Sequence, residues 1–435
     1  MTKSKNDRSN ERRNALKHMA MLGSASAAGM AAVGATSGAS AQIFQATAGL
    51  FPVLIAASDA PREMQTIADF VCTGTDDQNE INQALAQLLP TRETGLGGEV
   101  QLSPGTFNIS NQILMRPRTS LIGSGRSTIL KAQGAWNSVN DPSAMGGVIE
   151  PFNPGVDKCH IASLAIDGNR QNVHGIFFDI TEQLFDDGSP DAANTFTDLY
   201  LWRTGGDGIR FTGSRMRAAQ LSRIRIWDPA GYGYFLDNPD SFYSQLEVGS
   251  SGKSGFFAGG TNSRYTNCKA WFSIDHGFEI TARRNQFAAC ESQDNAKHGY
   301  SIEAGQVTLT SCHADSNSWW RDAPRSGYSG FFLREFQGYI QLIGCQAYDK
   351  NENNRGFWQN YGFELEGSNN YTQIVGSARD NLSGPLSDPR PGTGSQIEVL
   401  GPPVSPPAST SEPERTTSVL PEIPTRSPNA GSTLY

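Results

Sequence analysis

Glu247, Lys269, Glu291 and His313 follow one another at intervals of 22 residues. Two carboxylates, an amine and an imidazole are groups that can move protons on a sugar. If 22 residues make one turn of a stacked coil, equivalent positions lie about 4.8 Å apart and the two carboxylate-bearing residues about 9.6 Å apart. Side-chain reach then brings the carboxylates to the ~6.5–9.5 Å separation used by inverting glycosidases. Lys269, between them, can neutralise a uronate carboxylate, or act as a base if its pKa is lowered. His313 is a second candidate base. Trp202, Trp227 and Trp271 stand two residues beyond the same series of positions. Indole faces stack on the C–H faces of pyranose rings. Arg225 belongs to the series itself and Arg223 flanks it, so both can bind hydroxyls or carboxylates.

The element that must hold these groups is a repeat. Gly233, Gly255, Gly277 and Gly299 each open a similar stretch, and each is 22 residues from the last. Cys268, Cys290 and Cys312 keep the same interval. A fixed period of this size marks a solenoid, in which one coil cannot bury its apolar face alone. Coils can be set out from glycines 175, 208, 233, 255, 277, 299, 330 and 362. Three units are longer, and their extra residues are expected as loops at 181–197, 316–329 and 350–361.

Alternate residues of a strand point in and out. One column, Leu199, Ile224, Leu246, Cys268 and Cys290, continued by Cys312 and Cys345, is expected to face inward as a stack of small hydrophobes with free thiols. The next residue of each coil gives an outward column: Tyr200, Arg225, Glu247, Lys269, Glu291, His313, Gln346. Two residues on, Trp202, Trp227, Gly249, Trp271, Gln293, Asp315 and Tyr348 form a second. Asp198, Arg223, Gln245 and Asn267 lie on the other flank. The strip reads as a sugar-binding groove along the axis. It reads also, and more simply, as plain structure, because opposite charges on neighbouring strands are favourable pairs and a charged ladder keeps a flat face soluble.

Other positions carry weaker signals. His174, His276 and His298 each precede a coil glycine and are expected to cap turn carbonyls. Asn295 and Asn317 occupy one turn position on consecutive coils and suggest a hydrogen-bonded ladder. Asp237 and Asp240 make an acidic turn where Ca²⁺ can bind, but two carboxylates fall short of a full site. No cysteine or histidine spacing fits a metal centre, so no cofactor is expected beyond that Ca²⁺. Trp319 and Trp320 sit in a long loop, as a lid or an oligomer contact.

The N-terminal text gives the organisation. Arg12-Arg13 precedes a mild apolar run that ends at Ala39-Ser40-Ala41, and residues 1–41 resemble a twin-arginine export signal. Its removal takes away six basic and two acidic residues and moves the formal charge from −8 to −12. That excess disfavours nucleic acid, which needs a basic footprint. No stable membrane span is expected after the signal is removed. Residues 42–66 read as a connector, and 386–435 as a Pro/Ser/Thr-rich disordered tail.

Between them, Ala68-Asp69-Phe70-Val71-Cys72-Thr73-Gly74-Thr75-Asp76-Asp77 leads into a helix near Gln78–Leu89. Asp76 or Asp77 is placed to cap it, and Ile81, Leu85 and Leu88 make an apolar stripe. Short strands follow, closed by Pro104-Gly105 and Gly123-Ser124-Gly125. This segment resembles the N-terminal cap and first coils of the pectate-lyase-like, right-handed parallel β-helix superfamily. The resemblance covers residues 67–385. It implies an all-β chain: a single-stranded right-handed parallel β-helix with a short N-terminal helical cap. That superfamily includes polysaccharide lyases, glycoside hydrolases, epimerases, phage tailspikes and non-enzymatic surface proteins. The acidic cluster of calcium-dependent pectate lyases and the motif sets of polygalacturonases and alginate epimerases are not recognisable here. The expectation is a secreted lyase or hydrolase acting on an extracellular polysaccharide, monomeric or homotrimeric. The alternatives are a non-catalytic adhesion protein and a trimeric tailspike-like fibre.

Overall fold

The recurring glycine exists because two coils touch there. A Cβ on Gly255 would stand 2.6 Å from the Ala270 Cβ and 2.9 Å from the carbonyl oxygen of Gly277, the same position one coil later. No side chain fits that approach. The computed structural model describes residues 52–88, 97–182, 192–319, 327–335, 337–350, 357–387, 390–391 and 394–401. The expected export signal, most of the expected tail and the centres of the three long loops lie outside these residues.

Each coil carries up to three short strands, for example Phe256–Ala258, Arg264–Thr266 and Lys269–Trp271. Each pairs in parallel with the segment 22 residues later: Phe256 with Phe278, Arg264 with Gln286, Lys269 with Glu291. Parallel pairing continues along the chain and, among the described residues, yields a narrow sheet of 11 strands and a wide one of 20.

Single residues in the left-handed region turn the corners. Gln245, Asn267, Ala289 and Ser311 share one corner, at φ of 55°, 53°, 52° and 51°. Ser250, Phe272, Asp294 and Ser316 share a second. Asp240, Asn262, Arg284 and Gln306 share a third. Such a residue costs roughly 1–2 kcal/mol, less for Asn and Asp, so the stacking on both sides must outweigh it in every coil.

The interior justifies that cost. Tyr234, Phe256, Phe278, Tyr300, Phe331 and Phe363 stack on consecutive coils with centroids 4.7–5.0 Å apart and ring planes within 10°. The inward column from Leu199 to Cys345 is buried as expected, and all six cysteines are free thiols. The Asn295–Asn317 ladder is present at 2.9 Å. It runs further than the two asparagines, from Ser251 and Ser273 through Gln359 to Asn381.

Helix α1 (Arg62–Ile67) and helix α2 (Gln78–Gln87) lie at the N-terminal end. Ile81, Leu85 and Leu88 of this segment are buried as expected. Asp77 does stand at the head of α2, but its carboxylate makes no cap bond to the helix. It accepts instead from the backbone N–H groups of Gly74 and Asn108, tying α2 to the first coils. The coil also starts before the expected boundary at 67. Val53–Ala56 pairs with Gly98–Leu102. At the other end Gln396–Leu400 pairs with residues 373–377, beyond 385.

Candidate functional site

The outward column falls in the expected register. Tyr200 pairs with Arg225, Arg225 with Glu247, Glu247 with Lys269, Lys269 with Glu291, Glu291 with His313, and His313 with Gln346. The tryptophan column is in step with it, through Trp202, Trp227, Gly249 and Trp271. The strip is open to solvent: the side chains of Arg225 and Glu247 are 52% and 27% exposed, those of Lys269 and Glu291 34% and 36%.

The charges are not spaced evenly along it. Arg225 binds Glu247 at 2.7 Å, and Lys269 binds Glu291 at 3.1 Å and the Gln293 side chain at 2.8 Å. Lys269 therefore leans towards Glu291 and does not stand midway between the two carboxylates. The strip consists of two cross-strand ion pairs in series. Arg223 is elsewhere: it occupies a left-handed corner, at φ 54°. Its guanidinium grips Asp198 at 2.7 and 2.8 Å. That bond holds the Asp198 carboxyl below its ordinary range. The strip thus brings together Arg225, Glu247, Lys269, Glu291 and His313, and leaves Arg223 on its edge.

The tryptophans are built into a surface. Trp227 and Trp271 lie two coils apart in register, yet their ring centroids are 5.3 Å apart, edge to face. Gly249 lies between them. A Cβ there would collide with the Trp227 ring and stand 2.9 Å from Trp271 Nε1, so its absence lets the indoles close over the gap. Tyr200 and Trp202 continue the surface at 5.2 Å, with the Arg126 guanidinium 4.1 Å above Tyr200. Trp319, at the start of a long loop, packs 5.3 Å from Phe272 beside Trp271; Trp320 lies outside the described residues.

Two other expectations resolve differently. His174 and His298 accept backbone N–H groups at Nδ1, from Asp207 at 2.8 Å and Ser329 at 2.9 Å. They cap amides, not carbonyls. Burial holds them neutral, with pKa values lowered to about 4 and about 3. Asp240 accepts from the Asn262 side chain at 2.6 Å and holds its corner. Among the described residues, Cys72, Asp77 and Glu80 converge with metal-ligating atoms, but Asp77 is already committed to two backbone N–H groups.

A second cluster stands on the narrow sheet: Phe235, Phe257 and Glu279 share one outward column, and Tyr232 precedes the strand that carries Phe235. Phe235 and Phe257 stack outward at 4.5 Å. Tyr232 lies 5.3 and 5.5 Å from them. Glu279 is the register partner of Phe257 and accepts from the Ser254 hydroxyl at 2.8 Å. Burial raises the Glu279 pKa, and burial is also the main cause that pushes Tyr232 up to about 12. The only sequence signal is the change from Phe to Glu at one outward position between coils.

The comparisons concern the architecture. The family described as "Right handed beta helix region" matches residues 207–378, under half of the chain. A tailspike protein, protein 2 of an Escherichia coli O157:H7 bacteriophage, superposes with a TM-score of 0.52 at 13% identity, over 70% of this chain and 43% of its own. The chain is a right-handed parallel β-helix. It thus spans less than half the length of that tailspike. The A-module of an Azotobacter vinelandii mannuronan C-5 epimerase aligns at 16% identity and TM-score 0.45, over 77% of this chain and 98% of its own. The catalytic domain of a GH87 α-1,3-glucanase aligns at 13% and 0.46, over 75% and 66%. A comparison with curated proteins gives no match. Among the described residues no helix is long and apolar enough to cross a membrane.

Proposed function

We propose that this β-helix is exported by the twin-arginine route and acts on an extracellular polysaccharide along the Trp/charge strip, as a lyase or hydrolase. The observation that carries the reading is the indole surface closed over Gly249 beside two solvent-open ion pairs. Pyranose rings stack on the indoles. A uronate entering the strip competes with Glu247 for Arg225, and with Glu291 for Lys269. The displaced carboxylate loses its cation partner and becomes a stronger base. The cation, meanwhile, neutralises the uronate and makes the hydrogen on the adjacent carbon more acidic. Proton abstraction from C5 with departure of the C4 oxygen, which takes up a proton, is the lyase form of the reaction. Protonation of the glycosidic oxygen with water attack is the hydrolase form.

A polysaccharide panel with two readouts tests this. Ultraviolet absorbance of unsaturated ends reports a lyase; new reducing ends without it report a hydrolase. If the protein binds a polysaccharide and gives neither signal, the second reading holds: a non-catalytic surface protein whose ion pairs are structural. That reading is favoured by both strip carboxylates being paired in the free protein. Mass in solution distinguishes a monomer from a tailspike-like homotrimer.

A further inference from the structure

The narrow sheet has its own open window. Its outward column reads Arg210, Phe235, Phe257, Glu279, Ser301. Before the window Phe177 is buried, and Met145 and Trp136 crowd the backbone at Gly206 and Gly146. After it Ser301 is buried, and the Tyr328 ring stands edge-on to His298 at 4.8 Å. Arg210, Phe235, Phe257 and Glu279 are part-exposed between these two covers. Four coils in register give a trough about 14 Å long, room for roughly three pyranose rings.

Its chemistry is that of a sugar subsite. Phe235 and Phe257 lie face to face, with the Arg210 guanidinium 3.8 Å over the other face of Phe235, so the stack presents its ring edges as an apolar surface. The Lys253 ammonium sits 5.0 Å over the Tyr232 ring. Arg210 is neutralised by Asp207 at 3.0 Å and Lys297 by Asp275 at 2.7 Å. Lys253 makes no ion pair among the described residues, so it is the cation here left to meet a ligand anion. Glu279 lies one coil beyond Phe257, about one strand spacing of 4.8 Å, within reach of a hydroxyl on a bound ring, and burial raises its pKa.

We propose that this trough is a second glycan-binding site, separate from the strip, that takes a short uronate-bearing oligosaccharide: the edges of Phe235 and Phe257 pack against sugar C–H groups, Lys253 binds a carboxylate, and Glu279 binds a hydroxyl. It deepens the polysaccharide reading, on which it rests, by naming a second point of attachment for the same class of ligand. Two sites on different faces would let one chain be held at one and worked on at the other, with avidity beyond either alone.

The test is calorimetric titration of the full chain with trigalacturonate and with neutral maltotriose. Variants are Phe257→Ala, Lys253→Gln and Glu279→Gln in the trough, and Trp227→Ala/Trp271→Ala in the strip. Expected are binding of trigalacturonate that survives the strip variant, and a loss of at least tenfold in that residual binding on Phe257→Ala. Lys253→Gln should weaken trigalacturonate and leave any maltotriose binding unchanged. Lys253 is exposed, so this variant keeps the test valid if Phe257→Ala fails to fold. The proposal is overturned if the strip variant abolishes all binding, or if Phe257→Ala and Lys253→Gln bind like the parent. It is overturned equally if the trough proves to hold a second copy of the chain. A parent chain that turns over polysaccharide but shows no binding at the trough would sink this proposal alone, and a parent chain that binds at the trough without turnover would sink only the activity at the strip.

Discussion

Gly249 is the residue on which the proposed binding surface turns. Its two neighbours in the column are large indoles, and only the missing Cβ lets them meet. Gly249→Ala should push Trp227 aside and lower polysaccharide affinity about tenfold or more, and because Gly249 is buried under the indoles it should also cost some stability. Affinity electrophoresis reads the first effect and urea denaturation the second. The buried imidazoles make a separate prediction. His298 has an ordinary pKa of 6.5 and about 3 in the folded chain, so above pH 6.5 neither state is protonated and its contribution is constant. As pH falls below 6.5 the unfolded chain binds a proton that the folded chain refuses, and stability is lost down towards pH 3. Each tenfold difference in proton affinity between the two states is worth about 1.4 kcal/mol at most. His298→Asn keeps an acceptor for the Ser329 N–H and removes the titration. Its urea midpoint should therefore fall less between pH 7 and pH 4.5 than that of the parent. Equal slopes would contradict the assignment.

At the scale of elements, the coil rests on ladders that cross several turns. Asn295 receives and passes on hydrogen bonds between Ser273 and Asn317, and is fully buried. Asn295→Ala leaves buried partners unsatisfied and should cost roughly 1–3 kcal/mol, measured as a drop in urea midpoint. Asn295→Ser, which restores an acceptor of the kind used by Ser273, should recover part of it. Sequence showed this ladder only where asparagine recurred. Its Ser251, Ser273 and Gln359 rungs were hidden because several side chains can fill one hydrogen-bonding role. The same contrast runs through the fold. The register of Glu247 with Lys269 was legible because the two are one 22-residue period apart, and that of Trp202 with Trp227, 25 residues apart, because each stands six residues before a coil glycine, Gly208 and Gly233. The corner role of Arg223 was not, since a left-handed residue need not be glycine. The lean of Lys269 towards Glu291 was not either, because a period fixes Cα positions and leaves rotamers free. Nor were the covers on either side of the trough, which come from Trp136, Met145 and Tyr328 outside the repeat.

For the whole molecule, the solenoid makes the strip a linear device. A glycan held along it lies parallel to the axis and meets Trp202, Trp227 and Trp271 in turn. Without residues 1–41 the chain carries a formal charge of −12, so on the proposed reading a polyuronate would be repelled at long range and held by local cations. Raising salt from low to physiological levels should therefore change its affinity little, since repulsion and attraction are screened together. A steep fall would point to a basic surface instead. The central claim is that the strip acts on polysaccharide through its two carboxylates. The most direct measurement is turnover by the parent, Glu247→Gln and Glu291→Gln on the polysaccharide the parent cleaves. The account predicts that at least one variant loses a hundredfold or more in rate while still binding the polymer. Full activity in both variants would contradict it.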